Sequence, residues 1–231
     1  MNIQGFQKMT LLDYPQRVAC TVFTGGCNFR CPFCHNASLV TDINLKSAFS
    51  EDEILDFLKK RQGVLDGVCI TGGEPLLQPD IKQFIIKIKS LGYKVKLDTN
   101  GSFPEKLKEL IDEKLIDYVA MDIKNAKEKY PITAGITNDI MPSIEKSVKI
   151  LLENRVEYEF RTTVTAQHHT VEDIENIAKW IKGAKKYFIQ GFVDSGEILG
   201  KDSLSAPDEK VLKNMEKTAN NYILTHIRGV K

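Results

Sequence analysis

Six short apolar, β-rich runs alternate with helix-like stretches, and this alternation limits the possible folds more than any other feature of the chain. The runs are Val18–Phe23, Gly67–Thr71, Lys94–Asp98, Asp117–Asp122, Glu157–Val164 and Lys186–Gln190. Between the first two, Ser50-Glu51-Asp52-Glu53 has the capping-box spacing and predicts a helix to about Arg61. Pro79-Asp80 opens another, with Ile81, Phe84, Ile85 and Ile88 at helical spacing and Gly92 as its stop. Further helices are expected over 104–113, 143–154, 171–182 and 207–220. Strands alternating with helices imply parallel strands joined by helical crossovers. Six units fall short of the eight in a closed barrel, which leaves an open partial barrel or a doubly wound sheet. With 231 residues, no linker and no repeat, one α/β domain over 1–231 is expected. It divides into an N-terminal extension over 1–17, with the look of a small hairpin, a core over 18–192, and a C-terminal helix and tail over 193–231.

Three of the five cysteines crowd the loop after the first strand: Cys27, Cys31 and Cys34, in Gly-Cys-Asn-Phe-Arg-Cys-Pro-Phe-Cys-His-Asn. Thiolates packed this closely form a metal-ligand loop. A four-iron cluster normally takes four thiolates, so three leave one iron able to bind something else. A structural zinc site would need a fourth ligand. His35 adjoins Cys34 too closely to share one ion with it, and there is no second Cys-x-x-Cys. A plain electron carrier would need a fourth cysteine. Cys20 and Cys69 lie inside apolar strands and read as buried structural thiols.

The unusual polar and glycine residues all fall at C-terminal strand ends, the rim where parallel α/β folds build active sites. The second strand ends in Thr71-Gly72-Gly73-Glu74-Pro75, the third in Asp98-Thr99-Asn100-Gly101 and the fourth in Met121-Asp122-Ile123-Lys124. Arg161 lies within the fifth run, and Gln190-Gly191-Phe192 closes the sixth. Gly72-Gly73 suits a strand-to-helix turn. It also suits close approach of a ligand to backbone without Cβ atoms, with Glu74 and carbonyls accepting from a ligand ammonium. Asp98 can fix its own turn, yet Asp98 and Asp122 end neighbouring strands, and two carboxylates on one rim suit a cation or an amine. Lys124 alone reads as solvated. Arg161 needs a partner inside a barrel, and a ligand carboxylate is a natural one. His168-His169 hints at zinc, but adjacent loop side chains share one ion poorly, so the pair reads as surface.

Lys+Arg is 32 and Asp+Glu is 31, a balance that disfavours a nucleic-acid backbone binder. No apolar run reaches membrane-span length, and the opening residues lack a basic region followed by an apolar one. A cytoplasmic protein with neither nucleic-acid nor membrane partner is expected, its cysteines serving metal rather than disulfides.

Cys27-x3-Cys31-x2-Cys34, with Phe33 before the last cysteine, resembles the radical S-adenosylmethionine (SAM) enzymes, and Gly72-Gly73-Glu74-Pro75 matches their glycine motif. The resemblance spans nearly the whole chain. It implies a partial (β/α)6 TIM-like barrel of parallel strands, a [4Fe-4S] cluster on the three thiolates, and SAM chelating the open iron. Within the family the chain is similar to glycyl-radical-enzyme activating enzymes, through Cys34-His35-Asn36, Asp98-Thr99-Asn100-Gly101 and Asp122-Ile123-Lys124. Gly5-Phe6-Gln7-Lys8 and Leu12-Asp13-Tyr14-Pro15 resemble the activators of anaerobic ribonucleoside-triphosphate reductase, although Gln16 stands where that branch has Gly. The resemblance implies SAM contacts from Phe33, Cys34, His35, Gly72, Gly73, Glu74, Asp98, Thr99, Asn100, Asp122, Ile123, Lys124 and Arg161, the last near the SAM carboxylate. It also implies a monovalent-cation site on Asp98, Thr99 and Asp122. A ribose-contacting His after the last strand is missing from Gly191-Phe192-Val193-Asp194. No cysteine lies between Cys34 and Cys69 or after Cys69, so neither a ferredoxin-like insert nor a cysteine-rich C-terminal domain is expected.

The expected activity is that of a radical SAM oxidoreductase with no side chain acting as acid or base. Reductive cleavage of SAM gives a 5′-deoxyadenosyl radical, which abstracts a glycine Cα hydrogen from a partner glycyl radical enzyme, with reduced flavodoxin or ferredoxin as electron donor. The alternatives are a pyruvate formate-lyase-type activator, a small-molecule enzyme resembling 7-carboxy-7-deazaguanine synthase, and a non-enzymatic metal-binding module.

Overall fold

The first six parallel strands each start within a residue or two of an apolar run. The computed structural model describes residues 1–41, 46–194, 196, 198–200 and 204–229, so parts of the expected 193–231 tail lie outside them. In chain order the strands are β1 (Ile3–Thr10), β2 (Ala19–Thr24), β3 (Gly67–Gly72), β4 (Lys94–Thr99), β5 (Tyr118–Asp122), β6 (Glu157–Val164), β7 (Tyr187–Gly191) and β8 (Thr225–Arg228). The helices are α1 (Ser38–Thr41), α2 (Glu51–Lys59), α3 (Ile81–Ser90), α4 (Pro104–Asp112), α5 (Tyr130–Ala134), α6 (Met141–Leu152), α7 (Val171–Trp180) and α8 (Glu209–Ala219). The capping box forms as read: Ser50 Oγ accepts from Glu53 N, and the Glu53 carboxylate accepts from Ser50 N at 2.7 Å.

All eight strands join one sheet in sequence order, β1 antiparallel to β2 and every later neighbour parallel. That order decides between the two architectures left open by the sequence. A doubly wound sheet reverses its strand order, whereas an order that never reverses, with right-handed crossovers, puts every helix on one face and curls the sheet into a barrel. Among the described residues β1 and β8 do not pair, so the barrel is open between them. The N-terminal extension pairs with the first barrel strand instead of folding on itself. The seventh parallel strand, β8, went unread because four residues show too little apolar alternation to mark a strand. No described helix is long and apolar enough to cross a membrane.

Period-two alternation sends the two faces of each strand into different surroundings. Val95 and Leu97, Val119 and Met121, and Tyr158 and Phe160 belong to the helix-side core, together with Phe84, Ile85, Ile88 and Leu107. The residues between them, Lys96, Asp98, Glu159 and Arg161, face the barrel interior. There Arg228 donates from Nη1 and Nη2 to Glu159 Oε1 and Oε2 at 2.7 and 2.9 Å, and Tyr118 Oη donates to Oε2 at 2.9 Å. Arg228 also lies 3.3 Å from the Phe188 ring centre. This interior ion pair fastens β8 to β6 and β7.

Candidate active site

The three thiols and the strand-end residues line one cavity at the C-terminal rim. Its walls include Cys27, Cys31, Phe33, Cys34, His35, Gly72, Gly73, Asp98, Thr99, Asn100, Asp122, Lys124 and Arg161. Burial raises the Cys27 thiol and pushes Cys31 up to about 12, with Lys124 pulling both the other way. Thiols so placed stay protonated unless a metal takes them as thiolates. Among the described residues, no three His, Cys, Asp or Glu side chains are gathered closely enough to hold a single ion. A cluster needs no such gathering, because its thiolates bind different irons and stand apart. The residues therefore fit a cluster better than zinc.

The cysteine loop is held by its neighbours. Phe29 N donates to Cys27 Sγ at 3.3 Å, and Asn100 Nδ2 lies 3.8 Å from the same sulfur and 3.0 Å from Asn28 Oδ1. Arg30 N donates to Ala134 O, at the end of α5, at 2.9 Å. The glycine-rich turn packs directly on the loop: Gly73 N donates to Thr24 O at 2.9 Å and Glu74 N to Gly26 O at 2.8 Å. A Cβ on Gly73 would meet Gly26 O at 1.9 Å, and one on Gly72, whose φ is +120°, would meet Thr24 N at 2.3 Å. Both glycines are thus required by contact between two protein loops, before any ligand approaches.

Glu74 differs from the sequence expectation. Its carboxylate is fully buried, lies off the cavity wall, and accepts from Leu76 N (3.0 Å), Thr99 Oγ1 (2.8 Å) and Asn100 N (2.7 Å). Burial raises its pKa to about 7 against those three donors. It ties the turn after β3 to the end of β4. Ile123 likewise points into the helix-side core, away from the wall.

Across the cavity runs a chain of alternating charge. Lys96 Nζ pairs with Asp98 Oδ1, and Arg161 Nη1 with Asp98 Oδ2 at 3.1 Å. Arg161 Nε pairs with Asp122 Oδ1 at 2.9 Å, and Lys124 Nζ with Asp122 Oδ2 at 3.0 Å. Burial works against both carboxylates, but the neighbouring cations outweigh it. Asp98 is lowered by Arg161 and Lys96, and Asp122 is held down to about 2 by Arg161 and Lys124. Lys124 stays charged because Asp122 more than offsets its burial. Lys124 is therefore paired, not solvated. Three cations against two carboxylates leave an excess positive charge suited to an anionic group. Lys96 was missed by sequence reading; its signal was its place two residues before Asp98, on the same strand face.

His169 corrects the surface reading of the His pair. It is 3% exposed, and its ring packs 5.9 Å from Phe33, behind the cysteine loop. Its Nδ1 accepts from Thr165 N at 3.2 Å, so Nε2 carries the proton given to Lys124 O at 2.9 Å. Burial lowers its pKa to about 4. The histidine missing after β7 has a neighbour of the same type: His35 Nε2 lies 2.7 Å from Val193 O, and its ring is 5.3 Å from Phe192.

Comparison with known proteins agrees with this geometry. The chain is 36% identical over 230 residues to a Methanocaldococcus jannaschii protein provisionally named a glycyl-radical enzyme activating enzyme, covering 96% of this chain and 92% of that one. It is 27% identical to the pyruvate formate-lyase-activating enzyme of Clostridium pasteurianum, over 94% and 95% of the two chains. A crystal structure of a domain of a pyruvate-formate lyase-activating enzyme from Bacteroides vulgatus superposes with a TM-score of 0.56 at 18% identity, covering 71% of this chain and 99% of that one, which speaks for the fold alone. The Radical SAM superfamily pattern matches residues 21–181, from β2 beyond the end of α7. The chain belongs to that superfamily, whose members use a [4Fe-4S] cluster and S-adenosylmethionine.

Proposed function

We propose that this protein activates a glycyl radical enzyme, with anaerobic ribonucleoside-triphosphate reductase as partner. The activating role rests on the Methanocaldococcus jannaschii relative, matched over nearly the full length of both chains. The choice of reductase rests on the opening stretch, Gly5–Lys8 and Leu12–Pro15.

In this reading Cys27, Cys31 and Cys34 hold the cluster. The chemistry such a cluster would supply is one-electron reductive cleavage of SAM, which would lead to removal of a glycine Cα hydrogen from the partner. The protein's own groups bind and orient. Arg161, fixed by Asp98 and Asp122, and Lys124, fixed by Asp122, offer positive charge to the SAM carboxylate. Gly72 and Gly73 present backbone to its amino end. Phe33, His35 and Asn100 wall the remaining sides and exclude water. No side chain acts as acid or base. Reduced flavodoxin or ferredoxin delivers the electron.

The observation that carries the site reading is that three thiols and the Asp122–Lys124–Arg161 cluster line one cavity. The test is anaerobic incubation of reduced, cluster-loaded protein with SAM and the purified reductase. A glycyl-radical signal in electron paramagnetic resonance, lost in Cys31→Ala, is the expected result. SAM cleavage without that signal rejects the partner, and turnover of a purified pterin in its place supports the deazaguanine-type alternative. Zinc without sulfide on metal analysis rejects the cluster.

A further inference from the structure

Two carboxylates ending adjacent strands suit a cation or an amine, and the structure supplies the amine from within the chain. Lys96 is 2% exposed, and its ammonium is bonded to Asp98 Oδ1, with Cys69 Sγ at 3.8 Å. The other Asp98 oxygen is taken by Arg161, and both Asp122 oxygens are taken by Arg161 and Lys124. Thr99 cannot complete a cation site with its hydroxyl. Strand alternation puts it on the opposite face of β4 from Asp98, where Oγ1 donates to Glu74. A loose monovalent cation would meet only carboxylate oxygens already bonded to Lys96, Arg161 or Lys124, and would enter a site already carrying excess positive charge. The residues do not fit the cation that the family resemblance implies.

We propose that Lys96 is the resident counter-cation of this site, a positioning residue that holds Asp98 and through it Arg161, so that the protein works without an exchangeable monovalent metal ion. A tethered ammonium cannot dissociate, so the site keeps its charge whatever the salt composition. A metal ion would instead make it depend on K+ or Na+ concentration. The inference stands on the ion pairs alone and is independent of the partner enzyme.

The test needs neither cluster nor SAM. Cluster-free protein is melted in potassium, sodium and tetramethylammonium chloride at matched ionic strength. Wild type should melt at the same temperature in all three. Lys96→Ala leaves a cavity beside Asp98 Oδ1; it should melt lower, and potassium or sodium, but not tetramethylammonium, should restore it. At roughly ten times the dissociation constant of the ion that recovery is about 3–5 °C for a chain of this length. A potassium- or sodium-specific rise in wild type overturns the proposal. So does a folded Lys96→Ala protein with one melting temperature in all three salts. If Lys96→Ala does not fold, Lys96→Ser takes its place under the same two criteria, and the wild-type arm decides by itself. In cluster-loaded protein, SAM affinity should be indifferent to potassium in wild type and become potassium-dependent in the variant.

Discussion

Replacing Gly73 by alanine separates two uses of the glycine-rich turn. If the missing Cβ serves ligand approach, Gly73→Ala harms SAM binding and leaves the empty protein intact. The structure gives the other answer. The added carbon would lie 1.9 Å from Gly26 O and 2.5 Å from Gly26 C, both backbone atoms of the cysteine loop that no rotamer change can move aside. Relief requires the loops to part by more than an ångström. That stretches the Gly73 N to Thr24 O and Glu74 N to Gly26 O bonds, now 2.9 and 2.8 Å. Overpacking costs about 1–3 kcal/mol and each weakened hydrogen bond about 1, so a loss of about 3 kcal/mol is expected. For a chain of this length that lowers the melting temperature by about 6–12 °C. Differential scanning calorimetry on cluster-free protein measures it, and iron content after reconstitution should fall as well, because the displaced loop carries Cys27. A cluster-free Gly73→Ala protein that melts like wild type but no longer binds SAM would refute the argument.

His169→Gln tests the pH dependence. Because burial holds the folded pKa near 4, below the ordinary 6.5, wild type loses on the order of 3 kcal/mol as pH falls from about 6.5 to 4. Glu74, raised to about 7, acts in the opposite sense over part of that range, losing its contribution as pH rises from 4.5 to 7, so the measurement is the stability difference between wild type and variant. That gap should narrow on acidification; a constant gap removes His169 as the source. Arg228→Met strips Glu159, 1% exposed, of its counter-charge. With the Arg228 side chain 37% exposed, a loss of about 2 kcal/mol in urea unfolding is expected, below the values for fully buried pairs, and Glu159→Gln in the same background should recover most of it. Cys31→Ala should abolish iron and sulfide incorporation, while Cys20→Ala, on the helix side of β2, should retain both.

Much of the site was legible because its signals are local. Cysteine spacing, paired glycines and an Asp at a strand end each occupy a few consecutive residues, and strand alternation carries all of them to one rim. What escaped reading depends on contacts distant in sequence. His169 is buried because Phe33, in a loop more than a hundred residues earlier, packs on it. β8 persists because Arg228 finds Glu159, 69 residues away. The contacts of Glu74 were hidden for a related reason. The motif shows a carboxylate beside a glycine turn, but only the fold shows that Thr99 and Asn100 use all of its oxygens. Lys96 joins the site only because β4 sits in a barrel with its even-numbered side chains inward.

The barrel interior is graded along its axis, and the gradient bears on function. At the N-terminal strand ends Tyr14, Ala19 and Tyr118 form a small apolar plug. Lys96 lies level with Tyr118, the Glu159–Arg228 pair follows, and the C-terminal ends of the same interior hold Asp98, Arg161, Asp122 and Lys124. Burying charged groups rarely stabilises a fold, since desolvation offsets the attraction between them and well-packed aliphatic side chains would serve at least as well. A scaffold built for stability alone would carry the apolar filling to the top. Asp98, Arg161, Asp122 and Lys124 lie toward the end where the three thiols also lie, and each of those two carboxylates is held by two cations. Rigidly placed charge of that kind is what orienting an ionic ligand demands. Glu74 and Lys96 then act in the same way: one ties the glycine-rich turn to the end of β4, and the other holds Asp98 and through it Arg161.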